Sequence, residues 1–144
     1  MNTDGSSIIR EVTMRQTGPP RRAPSAVHRP EDAARYAQRR IGSETREHYL
    51  VIYLDARHRP IGDCIVHVGT LDQCLVHPRE VFRPAVALGA AAVITAHNHP
   101  TGDPKPSSED HEIHKRIVTA GAILGINVLD GLVVSADAWR SIGV

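Results

Sequence analysis

Aromatic side chains make up only 3% of this 144-residue chain, with one Trp and one Phe among them. Single-stranded nucleic acid is held on rings of that kind, so the chain has no stacking platform to offer. Neither charge is in excess: 17 Lys and Arg stand against 16 Asp and Glu, a formal net charge of +1. That balance leaves no basic stripe for a duplex. No stretch approaches the ~20 apolar residues of a membrane helix. The start, Met1-Asn2-Thr3-Asp4-Gly5, lacks the basic and apolar regions of a secretory signal, and the expectation is a soluble, cytoplasmic chain with no membrane contact. The two cysteines, Cys64 and Cys74, are neither spaced nor placed to close a cysteine-rich structural zinc site. In a reducing compartment they read as core or surface thiols. No internal repeat is present, and the length suits one sizeable core.

What is there begins with a tail unlike the rest. Gly18-Pro19-Pro20-Arg21-Arg22-Ala23-Pro24 is basic and interrupted by proline, so residues 1–29 are expected to form a flexible arm ahead of a domain spanning 30–144. Arg10, Arg15, Arg21, Arg22 and Arg29 outnumber Asp4 and Glu11 there, a weak pointer to an acidic partner; a solvated tail is the simpler reading.

From Pro30 the pattern alternates. Pro30, Glu31-Asp32, Arg39-Arg40 and Gly42 carry the start and stop signals of a helix. His48 to Leu54 and Ile61 to Val68 are β-branched and aromatic around a turn, which predicts a hairpin. Pro78 opens a helix to about Leu88 that Pro84 should kink or restart. Ala91 to Ala96 reads as a strand, Ser108 to Ala120 as a helix stopped at Gly121 or Gly125, and Ile126–Leu129 and Leu132–Val134 as two short strands. The sum is an α+β fold, an α/β sandwich around one sheet.

The richest stretch is His97-Asn98-His99-Pro100, in which His99 is separated by seven residues from Ser107-x-x-Asp110. Histidines at i and i+2 point the same way from an extended backbone, and Ser107 and Asp110 share a helix face. His97, His99 and Asp110 give three metal ligands and leave a fourth position open, the pattern of a hydrolytic Zn2+ centre. A competing reading is available for two of these groups: Ser107 capping a helix and Asp110 complementing its dipole. Capping leaves the two histidines unexplained. His111 and His114 share a helix face, where solvated side chains are the ordinary outcome, and Asn98 points away from the ligands and receives no chemistry.

These residues resemble the JAMM signature of the JAB/MPN metalloprotease fold. Val68-Gly69-Thr70, His77-Pro78-Arg79-Glu80-Val81-Phe82, His97 to Pro104 and Gly125-Ile126-Asn127-Val128-Leu129-Asp130 narrow the resemblance to the RadC-like branch, from roughly Pro30 to Ser141. His114 and Gly131 depart from it, standing where such relatives often have threonine and histidine. The resemblance implies a mixed sheet flanked by helices, and a zinc metallopeptidase acting on a peptide or isopeptide bond of an unidentified peptide or protein. It places the proton-carrying glutamate at Glu47, with Glu80 as the rival carboxylate, and gives Ser107 the oxyanion. It also implies a stand-alone JAB domain without the full helix-hairpin-helix region that relatives carry. The alternative is a nucleic-acid-associated module, in line with the family's label as DNA-repair proteins, or one that binds a protein without cutting it.

Overall fold

The structure is a computed structural model that describes residues 3–71 and 76–143. Helix α1 spans Pro30–Ile41, and the Asp32 carboxylate accepts from the backbone amides of His28 and Arg29, both at 3.0 Å. Those bonds satisfy amides near the helix start that have no intrahelical partner. Strands β1, His48–Leu54, and β2, Pro60–Val68, form the expected antiparallel hairpin. Helix α2 covers Pro78–Leu88, β3 Ala92–Asn98, α3 Ser108–Leu124, β4 Asn127–Val134 and β5 Trp139–Ser141.

The strands make one mixed sheet in the order β2-β1-β3-β4-β5. β1 pairs antiparallel with β3, β3 parallel with β4, and β4 antiparallel with β5. The alternation along β1 explains the layers. Leu50, Ile52 and Leu54 face α1, while Tyr49, Val51 and Tyr53 face α2 and α3. With both faces covered, β1 reads as a continuous apolar run. The architecture is the α+β arrangement expected from the sequence.

Three expectations about elements need correction. Pro84 does not end or restart α2, which runs unbroken through it, because one missing donor costs one hydrogen bond while Val81, Phe82 and Ala85 stay packed in the core. Gly121 does not stop α3. A Cβ there would lie 2.5 Å from the Ile126 carbonyl oxygen, so Gly121 lets helix and strand approach closely, and the helix ends at Gly125 in a left-handed conformation with φ 70°. The two short strands at the C-terminus are one, β4, running through Asp130-Gly131, and β5 follows it unforeseen.

Residues 3–29 contain no helix or strand. Val27 is nonetheless buried, its amide donating to the His58 carbonyl, and Gln16 Nε2 donates to the Ile61 carbonyl on edge strand β2. No helix among the described residues is long and apolar enough to cross a membrane. Cys64 is a free, half-buried thiol whose pKa burial raises; Cys74 lies outside the described residues.

Candidate metal centre

Parallel strands cannot be joined by a tight turn, so the chain between β3 and β4 crosses one face of the sheet as α3. The helix must therefore begin beyond the carboxyl end of β3, where His97 and His99 leave the sheet. His99 keeps strand-like pairing past the end of β3, its amide donating to the Val134 carbonyl. Proline at 100, 104 and 106 stiffens the connection. Asp110 returns to the histidines one turn into α3.

His97 Nε2 lies 3.1 Å from Asp110 Oδ1, and His99 Nε2 lies 3.0 Å from Asp110 Oδ2. The three groups offer one ligand atom each, all within 4.8 Å of one another. Two ligand atoms about 2.0–2.1 Å from a shared tetrahedral zinc stand roughly 3.3 Å apart, so the spacing suits a small cation. The site is largely closed off: His97 is 3% exposed and Asp110 5%, with His99 half-buried.

Hydrogen bonding tests the fit further. His99 Nδ1 is 2.9 Å from the Asp103 carbonyl, which can only accept, so Nδ1 carries a proton. In a neutral ring Nε2 then turns a lone pair towards a carboxylate oxygen. Such a contact is repaired by a proton or by a cation between the atoms. His97 Nε2 is buried and, despite its closeness to Asp110, has no partner of hydrogen-bond geometry. Both observations fit a metal, and the outer hydrogen bond on His99 is of the kind that fixes a ligating imidazole.

Electrostatics agree. The hydrogen bond with Asp110 raises the pKa of His99 against the effect of burial. For Asp110 burial pushes the carboxyl up, but the two imidazoles and the Ser107 amide overcome it and hold the group well below the usual carboxylate range. Asp110 is therefore an anion ready to ligate.

Ser107 is the N-cap of α3: its Oγ accepts from the Asp110 amide at 3.1 Å and its amide donates to Asp110 Oδ2 at 2.9 Å. The capping reading of this pair is thus realised beside the histidine cluster, and the same Asp110 carboxylate faces both the Ser107 amide and the imidazoles. Glu47 is half-buried at the start of β1, and its charge contributes to the raised pKa of His99. Its Oε2 accepts from the Leu71 amide at 3.0 Å, which fixes the carboxylate's direction. Glu80 pairs instead with Arg79 and Arg83 on the surface of α2.

Two residues near the cluster have roles that the sequence reading did not give them. Asn98 is fully buried; its Oδ1 accepts from the His48 amide at 2.6 Å, and its Nδ2 donates to the carbonyls of Glu44 and Arg46 at 3.2 and 2.9 Å. It ties the strand of the histidines to the segment of Glu47. Tyr49, opposite His97 in the register, stacks on its ring with centroids 6.0 Å apart. Burial pushes the Tyr49 phenol up to about 12, so it stays protonated.

His114 corrects an expectation. It is 6% exposed rather than solvated, and its ring fills the space over Gly131, where a Cβ would lie 2.5 Å from His114 Nδ1. Neither ring nitrogen makes a hydrogen bond of good geometry. Burial lowers its pKa, and the nearby Gly143 backbone opposes that without cancelling it. The signal available in the sequence was the paired departure at 114 and 131.

A mixed five-stranded sheet between helices, with a buried His-His-Asp group at the strand ends, defines a JAB-type domain. Residues 27–143 match the model of the RadC-like JAB domain, and the chain belongs to that family. It is 42% identical over 117 residues to a UPF0758 protein of Bacillus cereus, covering 81% of this chain and 52% of that protein. A UPF0758 protein of Geobacillus thermodenitrificans (strain NG80-2) is 42% identical over 113 residues, 78% of this chain and 50% of the relative. One from Geobacillus sp. (strain WCH70) is 39% identical over 116 residues, 81% and 51% of the two chains. The chain spans about half the length of these curated relatives.

Proposed function

We propose that this chain is a cytoplasmic, zinc-dependent hydrolase of peptide or isopeptide bonds. The observation that carries the reading is the convergence of His97, His99 and Asp110, with the buried His97 Nε2 left without a hydrogen bond. These three residues would hold the ion, which supplies Lewis-acid activation of water and of the substrate carbonyl.

The rest of the chemistry falls to side chains. Glu47, held at Oε2 by the Leu71 amide, takes the proton of the attacking water and returns it to the departing amine. The Ser107 hydroxyl, whose oxygen accepts from the Asp110 amide, keeps its proton free to donate to the developing oxyanion. Asn98 holds the Glu47 segment against β3. Glu80 takes no part, because its carboxylate is committed to Arg79 and Arg83.

Metal analysis of protein purified without an affinity tag, joined to a peptide-library cleavage screen, tests the reading. About one zinc per chain is expected, since a three-ligand open site holds one ion. It should be lost in Asp110→Ala and in His97→Ala combined with His99→Ala. Glu47→Gln should keep zinc and fold while cleavage drops on the order of a hundredfold or more; Glu80→Gln should change cleavage little. Stoichiometric zinc in the double histidine variant would sink the ligand assignment. Full cleavage by Glu47→Gln would remove the glutamate from its role.

A further inference from the structure

Away from the histidine cluster, the fold gathers charge at a place where the sequence shows only two separate pairs of arginines. Arg21 and Arg22 of the N-terminal segment meet Arg39 and Arg40 of the last turn of α1, and with Tyr36 they line a pocket of about 190 Å³. No acidic residue lines it. The carboxylate beside it, Asp63, is already engaged at Oδ2 by the Tyr36 hydroxyl at 2.5 Å and Arg40 Nε at 3.2 Å. Arg21, Arg22 and Arg39 have no ion-pair partner among the described residues.

Complementing the helix dipole accounts for Arg39 and Arg40. It does not account for two further arginines brought to the same hollow from a segment well before α1 in the chain. Guanidiniums gathered in this way repel one another, and the relief is an anion able to accept from several planar forks at once, as phosphate oxygens do. Arg21 and Tyr36 also line a neighbouring cavity of about 650 Å³, walled in part by Ile52, Tyr53, Leu88 and Pro19. That volume lies within the roughly 300–1,000 Å³ of small-molecule sites, and its mixed walls suit an organic group.

We propose that these adjoining hollows bind a small organic phosphate, with the phosphate on the arginines and the organic part in the larger cavity. One compact cluster on a chain of net charge +1 favours a small ligand over a nucleic-acid strand, which needs a track of successive phosphate contacts. The site shares no residue with the histidine cluster and stands independently of the hydrolase reading.

Calorimetric titration of the whole chain tests it, with adenosine 5′-monophosphate, adenosine and inorganic phosphate as probes. The nucleotide should bind at least tenfold more tightly than adenosine or inorganic phosphate. Arg22→Ala with Arg39→Ala should weaken the nucleotide at least tenfold at an unchanged melting temperature; either single variant carries the test if the pair melts early. Arg35→Ala, an equal charge change at an exposed position of α1 outside the pocket lining, should bind as the parent does. Equal nucleotide affinity in the parent and the double variant overturns the proposal, as does an equal loss in Arg35→Ala or no nucleotide binding at millimolar concentration. Tighter, steeply salt-dependent binding of a single-stranded oligonucleotide overturns it in favour of a polymer backbone.

Discussion

Gly131 has no side chain and His114 occupies the room, so the two positions are coupled. Placing a methyl group 2.5 Å from His114 Nδ1 and 3.2 Å from Thr95 Oγ1 forces the imidazole or β4 to move. Gly131→Ala should lose about 1–3 kcal/mol, the usual cost of overpacking a filled core. His114→Ser should restore most of that in the double variant. Urea unfolding of the four proteins reads the coupling, and strictly additive losses would refute it. The same histidine makes stability depend on pH. Burial lowers its folded pKa below the ordinary 6.5, so as pH falls below that value the unfolded chain takes up a proton that the folded chain resists. The stabilisation is complete above pH 6.5 and declines in acid. His114→Gln should flatten the acid side of the stability curve, measured on metal-free protein. An unchanged slope would assign the acid sensitivity elsewhere.

At the scale of elements, β3 works on both of its sides. Position 97, and 99 just past its end, project the imidazoles towards α3, and position 98 between them sends an amide to the opposite side, where it binds the segment 44–48. Alternation along an extended chain makes this division unavoidable. Asn98→Ala takes the partner from the His48 amide and the Glu44 carbonyl and one of two contacts from the Arg46 carbonyl, which keeps His48 Nδ1, at a cost on the order of 1–3 kcal/mol for a polar group left unsatisfied. A clear fall in melting temperature is expected, with metal content unchanged from the parent because His97, His99 and Asp110 are not altered. If Glu47 carries the proton as proposed, cleavage should fall as well, since its segment loses this tether. An Asn98→Ala protein that melts as the parent does would show that the three bonds contribute nothing. The long helix α3 has a comparable double duty, its first turn presenting Asp110 and its later turns burying Ile113 and Ile117.

At the scale of the whole molecule, two apolar layers enclose one sheet, and the N-terminal segment contributes few buried groups to either. Removal of residues before Ala26 keeps buried Val27 and its bond to His58. The shortened chain should therefore unfold within a few degrees of the parent and bind as much metal as the parent does, as checked by thermal scanning and metal analysis. It should also lose the phosphate site, because Arg21 and Arg22 leave with the segment. A large drop in stability would mean that docking along the edge of β2, of which the Gln16 bond to Ile61 is one part, holds the fold together.

Much of this was legible in the chain, because it rests on local rules. A proline and two acids mark the start of α1, an apolar run with period-two faces marks β1, and His-x-His before Ser-x-x-Asp marks three ligand-type residues on neighbouring elements. Other features needed the tertiary structure. Whether Asp110 reaches the histidines depends on the parallel pairing of β3 with β4, which no local window contains. The capping bonds of Ser107 and the cluster at Asp110 looked like rival explanations along the sequence, and the fold satisfies both with one helix end. Pro84 and Gly121 read as breaks because propensity is local, yet packing against the sheet outweighs one lost hydrogen bond and makes use of a missing side chain. The burial of His114 over Gly131, the reach of Asn98 and the meeting of Arg21 and Arg22 with Arg39 and Arg40 each join residues far apart in the chain. Distances of that kind are set by how the elements pack.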